Sequence, residues 1–274
     1  DLHLLSRRQR QMCIRDRRMA VESVSFKQTL QPDEVILVVD GSVPAVLEAE
    51  IKNLCSEIPY IKPLWKPNNE GLGKALRDGV EIAANEIIAR MDSDDVSVPD
   101  RFEKQIKALE SDPTLSIVGG GMTEFIDSPD NIVGSRTVPF ANDDIKSYMK
   151  TRCGLNHVTV MFKRSEILRV GNYQDWFWNE DYYLWVRMMI GGCKFANIPD
   201  ILVNVRSGAN QYARRGGRKY FESEKGIQKL MLDNNLISFP RYCFNVFVRF
   251  CVQIAMPNWL RGSVSYTHLT LPTT

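Results

Sequence analysis

The chain has 274 residues, 44% hydrophobic and 25% charged, which is the balance of a globular protein and not of a disordered tail, a collagen-like fibre or a disulfide-dense mini-protein. Its six cysteines are scattered without a C-x-x-C pair, and two of its three histidines, His3 and His268, lie in the terminal segments. A zinc ribbon, a disulfide framework and a multi-histidine centre are therefore excluded. The formal net charge of +2 resides in the ends: residues 1–18 hold six arginines and two acids, and residues 263–274 hold neither, so residues 19–262 carry −2. That balance gives no ground for a nucleic-acid partner.

Both ends stand apart from the rest. Met12–Arg17 is encoded by the DNA string ATGTGTATAAGAGACAG, and the reverse complement of that string, in another frame, encodes Val264–His268. Complementary coding at two ends of one protein is the mark of translated adapter DNA. Residues 1–18 and 263–274 are therefore expected to be non-native segments flanking one domain at 19–262.

Within 19–262, short β-rich runs alternate with helical patterns, which reads as an α/β fold. Ala20–Leu30 reads as the end of a helix. Val35–Val39 is a continuous apolar run closed by Asp40-Gly41-Ser42, the pattern of a buried strand ending in a polar turn. Helix over Ala45–Ser56, strand over Ile61–Trp65 and helix over Gly71–Ala84 follow. The apolar run Ile87–Met91 then leads straight into Asp92-Ser93-Asp94-Asp95, and Pro99 opens a helix to about Leu109. Further strands are expected at Ser116–Gly121, Thr123–Ile126, Thr159–Lys163 and Ile201–Val205. Helices are expected at Asp143–Lys150, Glu180–Ile190, Lys219–Asp233 and Arg241–Met256. The last has Asn245, Arg249 and Gln253 at every fourth position, a polar stripe on an apolar helix. Such a helix either packs on its own domain or lies on a membrane surface with its cation near the headgroups. No run reaches the ~20 apolar residues that span a bilayer.

Chemistry concentrates in a few places. In extended backbone, residues two apart point the same way, so Asp92 and Asp94 can converge at a strand's carboxyl end, where open α/β sheets bind ligands. Their mutual repulsion is relieved by a hard divalent cation, typically Mg²⁺ or Mn²⁺ shared with phosphate oxygens. The same acids also suit a turn or the cap of the next helix, with Asp95 or Ser97 as the capping residue. Asp40 is placed to accept from a nucleoside or to brace its own turn. Glu70-Gly71-Leu72-Gly73-Lys74 opens a helix, and Lys74 suits a phosphate, a base or plain solvent. Glu180-Asp181 opens another helix amid Trp176, Phe177, Trp178, Tyr182, Tyr183 and Trp185. Aromatic neighbours can raise a carboxylate toward the range of a general base and offer faces to a sugar, while the helix dipole alone favours acids there. The loop Arg206–Arg218, with Arg214, Arg215 and three glycines, reads as a mobile lid over a diphosphate or a solvated basic loop. His157 reads as a packed residue more readily than a catalytic one.

The runs Leu30–Ser42, Asn69–Lys74, Ile88–Arg101 and Asn179–Arg187, together with Asn156–Phe162 and the Arg-Gly-Gly run at Arg215, resemble family 2 glycosyltransferases of bacterial exopolysaccharide or lipopolysaccharide assembly. The resemblance extends from Ala20 to Leu260. It implies a GT-A fold (a Rossmann-like mixed sheet flanked by helices) and metal-assisted, inverting transfer from a nucleotide-diphosphate sugar to a saccharide or lipid-linked hydroxyl. By the same resemblance Asp40 and Lys74 contact the nucleoside, Arg214 and Arg215 the diphosphate, and Asp92 the ribose or the metal. Asp94 holds Mn²⁺ or Mg²⁺, and Asp181, with Glu180 as second choice, takes the acceptor proton. A cytoplasmic location follows, with peripheral contact to the inner membrane face through Arg241–Met256. Members of that family open with a strand that is absent here, its place taken by the adapter-like residues, so this polypeptide is expected to be marginal or inactive. A sugar nucleotidyltransferase and a non-catalytic sugar-nucleotide-binding protein are the rival expectations.

Overall fold

The computed structural model describes residues 7–207 and 217–255, with side chains from residue 14 onward. In chain order the elements are α1 (Arg7–Ser23), β1 (Val35–Asp40), α2 (Ala45–Glu57), β2 (Ile61–Lys66), α3 (Leu72–Ile82), β3 (Ile87–Ala89), β4 (Val96–Ser97), α4 (Arg101–Ser111), β5 (Ile117–Phe125), β6 (Ile132–Arg136), α5 (Asn142–Met149), β7 (Met161–Lys163), α6 (Arg164–Arg169), α7 (Glu180–Ile190), β8 (Phe195–Arg206), α8 (Arg218–Asp233) and α9 (Phe239–Phe250). A 3₁₀ turn covers His157–Thr159, and a π turn over Cys251–Ala255 continues α9.

The strands form two sheets. In the smaller, β1 and β2 pair in parallel from Val35↔Ile61 to Asp40↔Lys66. The larger has the order β3-β7-β5-β8-β4, with β6 also paired to β5. It is mixed: β5 and β8 run parallel, and β7, β6 and β4 join them or β3 antiparallel. Among the described residues β1 pairs on one side only, with β2, and β3 on one side only, with β7.

The main core lies on the face of the larger sheet covered by α7. Ile117, Phe162, Trp185 and Phe195 are sealed from solvent there. The middle of α7, Leu184-Trp185-Val186, is buried all round, as expected of a helix apolar on every face. Helix α3 ties the sheets together. Val80 belongs to the main core, while a Cβ on Gly79 would meet the Val38 side chain of β1 at 3.2 Å. Its carboxyl end is held by Arg164, which donates to the carbonyls of Val80 (2.9 Å) and Glu81 (2.8 Å).

Three expectations change. Ser116–Gly121 and Thr123–Ile126 are one strand, β5, whose pairing with β8 continues through register shifts at Gly120–Met122, where Gly120 and Gly121 leave room for the β8 side chains Leu202 and Ile201. The helix expected at Pro99 starts at Arg101, and Ser97 and Asp95 do not cap it: Ser97 bonds Gln28 and Asp95 bonds Arg206. Helix α1 ends at Ser23, not near Leu30, and begins at Arg7. It thus runs through the adapter-like stretch, whose Arg18 pairs with Glu50 and Glu57 at 2.6 Å each.

Candidate active site

Two close backbone approaches assemble the site. Gly41 has φ +94°, and a Cβ there would lie 2.6 Å from the backbone nitrogen of Asn69, so only glycine lets the end of β1 meet the turn before α3. Asp40 secures that meeting by accepting from the backbone N–H of Glu70 (3.0 Å) and Gly71 (2.9 Å). A Cβ on Gly73 would lie 2.8 Å from the carbonyl oxygen of Gln174 and 3.5 Å from the Glu180 side chain. The first turn of α3 is therefore set directly against the start of α7. Lys74 sits on this turn, partly exposed, 3.8 Å from Glu70. Lys66 is the buried cation here: its ammonium lies 2.5 Å from Asp78, 2.9 Å from Glu70 and 3.7 Å from Asp40.

The acidic run beyond β3 is a turn, not extended chain. The strand ends at Ala89, and Ser93 and Asp94 form the bend. The two-residue alternation of a strand is therefore not what sets these carboxylates, which corrects the expectation from spacing. They nonetheless crowd one another. Partial desolvation and then the charge of Asp92 raise the Asp94 carboxyl above its ordinary range. Asp95, nearly inaccessible, is pushed up to about 7 by burial and by Asp92, and its Oδ2 has no hydrogen-bond partner. Two crowded carboxylates, one of them solvent-facing, beside a sealed third make a donor set that suits Mg²⁺ or Mn²⁺ with water and phosphate completing the shell. Among the described residues no group of three or more His, Cys, Asp or Glu side chains is arranged to hold a metal ion by itself.

Arg90, immediately before the turn, joins the two acidic groups. Its guanidinium is buried and donates to both carboxylate oxygens of Asp92, at 2.6 and 3.2 Å. It is raised despite burial, chiefly by the charge of Asp92, with Asp181 and Asp95 adding to it. Glu180 is almost wholly buried at the first position of α7, and desolvation followed by the charge of Asp181 pushes it up to about 7. Above them, the His157 ring lies 2.9 Å (Nε2) from the Tyr173 hydroxyl and edge-on to Trp185. Burial and then the Arg90 charge hold His157 far below its usual range, so it stays neutral. The site is thus a carboxylate turn, a central arginine and an acid pair on a helix N-terminus.

The family model described as "Glycosyl transferase family 2" matches residues 19–174. The chain belongs to that family. It is 38% identical over 207 residues to "Amylovoran biosynthesis glycosyltransferase AmsE" of Erwinia amylovora, covering 75% of this chain and 76% of that one. It is 34% identical over 245 residues, 89% and 88% of the two chains, to "UDP-Gal:alpha-D-GlcNAc-diphosphoundecaprenol beta-1,3-galactosyltransferase" of Escherichia coli. Among solved structures, Staphylococcus aureus TarS 1–349 in complex with UDP-GlcNAc superposes with TM-score 0.66 at 13% identity, over 95% of this chain and 79% of that one. A mannosyltransferase of Pyrobaculum calidifontis, in complex with GDP-Man and Mn²⁺, gives 0.57 at 15%, over 93% and 76%. The fold is that of the GT-A glycosyltransferases, and the protein is a glycosyltransferase; this removes the nucleotidyltransferase and the binding protein as rivals.

Within the transferase, the sequence-predicted residues fall as follows. Asp92 is bonded to Arg90, the charge of Asp181 also acts on Arg90, and Glu180 feels Asp181, Arg90 and Asp92; Asp94 is coupled to Asp92 and Arg206 instead. Asp40 closes β1 against the turn before α3, and Lys74 lies on the first turn of α3. Arg214 and Arg215 lie outside the described residues. Arg206, expected in the mobile lid, is instead fixed at the end of β8: its backbone N–H donates to Asp95 (2.9 Å), and its side chain reaches the Asp94 carbonyl (3.3 Å), Asp16 (2.9 Å) and the Phe125 ring. Ladder pairing with Phe125 carries β8 up to that residue, so it belongs to the sheet. Of the aromatics, Tyr182 and Trp185 are core, and Trp176 stacks on Tyr183 at 3.9 Å. Of that set only Phe177 and Trp178, stacked on each other, remain exposed. Trp178 has φ +56°, uncommon for a bulky residue and a sign of local constraint. Reading residue by residue passed over Arg90 and Lys66. A cation two positions before a D-x-D was the available signal for the first; nothing local marked the second.

Proposed function

We propose that the transferase moves a glycosyl group, with inversion, from a nucleoside-diphosphate sugar to a hydroxyl of a lipid-linked or growing saccharide at the inner face of the cytoplasmic membrane. The observation that carries this reading is the single neighbourhood built on Arg90, with a carboxylate turn on one side and the Glu180–Asp181 pair on the other. Activated donors and lipid-linked acceptors are named for the relatives above, at 34% identity in the galactosyltransferase case. Residues 19–262 are read as the catalytic domain, with the free edges of β1 and β3 as the place of a further strand.

In this mechanism Asp40 and Lys74 face the nucleoside, and Arg214 and Arg215 the diphosphate. Asp94 and Asp92 would hold a divalent cation, which neutralises charge on the departing diphosphate when bound. Since Arg90 already engages both oxygens of Asp92, Asp94 is the freer donor. Asp181 accepts the acceptor hydroxyl's proton as the oxygen forms its bond to the anomeric carbon, on the face opposite the departing diphosphate. The bond from that carbon to the phosphate oxygen breaks, and the electron pair leaves with the nucleoside diphosphate. Desolvation and the Asp181 charge push Glu180 up to about 7, so Glu180 retains a proton more readily than an ordinary carboxylate beside Asp181.

A donor screen reading released nucleoside diphosphate in the presence of manganese tests the proposal. Asp181→Asn is expected to lower turnover by about 10²–10⁴-fold, the range of a lost general base, while metal-dependent nucleotide binding persists. Undiminished turnover in that variant rules the role out.

A further inference from the structure

Helix α9 is built inside out. Its polar stripe faces the protein. The Asn245 amide donates to the Lys150 carbonyl (2.9 Å) and to Gln228 (2.8 Å). Arg249 donates to the Thr151 carbonyl (2.6 Å) and lies 2.9 Å from Glu224, which also accepts from Gln253 at 2.5 Å. Of the two expectations for this stripe, the polar side meets the one of packing on its own domain, and Arg249 is not free for headgroups. The opposite face is left to water: Phe239 and Phe247 are 65% exposed and Phe244 62%, and Val248, Phe250 and Ile254 continue the stripe. Single exposed apolar residues are ordinary, but a contiguous aromatic stripe marks a binding surface.

Charge narrows the choice of occupant. Residues 234–255 contain no acid. Exposed Arg241 and half-buried Lys150 share the rim of a concavity of about 580 Å³ with Ser147, Ser238 and Phe244, at the start of α9. A second copy packed face to face would set this cationic, acid-free surface against itself. A bilayer instead offers phosphates to the cations and an apolar boundary to the rings. Location agrees, because one turn of α8 serves both regions. Ser223 bonds Trp176 and Asn179 beside Glu180, and Glu224 holds Arg249 and Gln253.

We propose that the outward face of α9 docks on an anionic phospholipid surface, with Phe239, Phe244 and Phe247 at the headgroup–acyl boundary and Arg241 and Lys150 on lipid phosphates. Docking there brings the mouth of the site, with its exposed Phe177–Trp178 platform, toward a lipid-linked acceptor. The choice of a bilayer rests in part on the acceptor reading above; the exposed face does not.

Cosedimentation of the full chain with phosphatidylglycerol/phosphatidylethanolamine vesicles, against pure phosphatidylcholine, tests this. Wild type is expected to sediment with the anionic vesicles. The double variant Phe244→Ser/Phe247→Ser is expected to lose about tenfold or more in partitioning, and Arg241→Gln about fivefold, with less dependence on the anionic lipid. Both should keep their melting temperature and the same nucleoside diphosphate release with a water-soluble acceptor. Absent vesicle binding by wild type, or equal binding by both variants, overturns the proposal. So does a light-scattering result in which wild type is a dimer without vesicle affinity and the double variant a monomer. Vesicle binding without transfer, also in a chain given an apolar first strand ahead of residue 19, would sink the proposed reaction and leave the docking surface standing; transfer without vesicle binding would do the reverse.

Discussion

The larger sheet and the β1–β2 pair share one chain but rest on different physics. Around β5, β7 and β8 the side chains Ile117, Phe162, Phe195 and Trp185 are fully sealed. Along β1, five of the six residues are only half-buried, although Val35–Val39 reads as a fully buried strand. The discrepancy has a visible cause: among the described residues β1 has a ladder partner on one side only, as β3 does, whereas β5 and β8 are paired on both. An apolar strand with one free edge forfeits both ladder bonds and packing. What differs between the regions is therefore pairing and cover, and Asp40, proposed above to face the nucleoside, sits on the more sparsely paired one.

The largest expected effect comes from closing that gap. A version with an apolar first strand joined ahead of residue 19 should gain on the order of 5 kcal/mol, from several ladder bonds at about 1 kcal/mol each plus apolar burial. Turnover should rise with it. Denaturant unfolding of both forms measures the gain, and equal stability and activity would show that β1 and β3 need no partner. Next in size is a direct contrast of the two regions. Trp185→Ala should cost about 3–5 kcal/mol, the range for a fully buried large side chain. Val38→Ala, at a half-buried position on β1, should cost about 1 kcal/mol. If the two losses match, the regions do not differ as described.

A smaller effect is expected from pH. Glu180 is raised to about 7 in the folded chain, so the folded state binds its proton more tightly than the unfolded state does. Its contribution is fully present below pH ~4.5 and is lost as pH climbs to about 7, by about 3 kcal/mol at most. Carboxylates held low, such as Glu34 and Asp78, act in the opposite direction, so the difference from Glu180→Gln isolates the effect. The variant should be the more stable form above pH 7 and show no such loss; parallel pH curves would contradict the buried, proton-retaining Glu180.

Local pattern made most of the fold legible. Glu180–Ile190 matches α7 residue for residue, because acids on a helix N-terminus and a continuous apolar run are local signals. The short pieces β4, β6 and α6 were not legible, since each exists through long-range pairing or a single tertiary contact, as Val96 does opposite Asn204. The site divides the same way. Its carboxylates were legible from their place after an apolar strand, whereas the centring role of Arg90 depends on α7 arriving from ninety residues downstream. The polarity of α9 was invisible because periodicity reports that a helix has two faces and not which one meets the protein. Here hydrogen bonds to the carbonyls of Lys150 and Thr151 drew the polar stripe inward.

Lys74 gives the smallest and sharpest separation of roles on the weaker side of the molecule. Its only ion pair among the described residues is with Glu70 at 3.8 Å, between side chains 35% and 43% exposed. Such a pair on a helix surface contributes at most about 0.5 kcal/mol. Lys74→Gln should therefore leave the melting temperature within about 2 °C, given the few degrees that 1 kcal/mol shifts a domain of this size. A nucleotide contact would show elsewhere. Loss of one partly exposed cation facing a donor should weaken nucleotide binding by about three- to tenfold, in proportion to about 1 kcal/mol of charge-assisted bonding. Asp40→Asn should instead lower both, since its carboxylate also accepts the backbone N–H groups of Glu70 and Gly71. Titration calorimetry paired with thermal unfolding reads the split. If Lys74→Gln binds nucleotide like wild type, Lys74 is a solvated helix residue and the nucleoside side of the cleft rests on Asp40 alone.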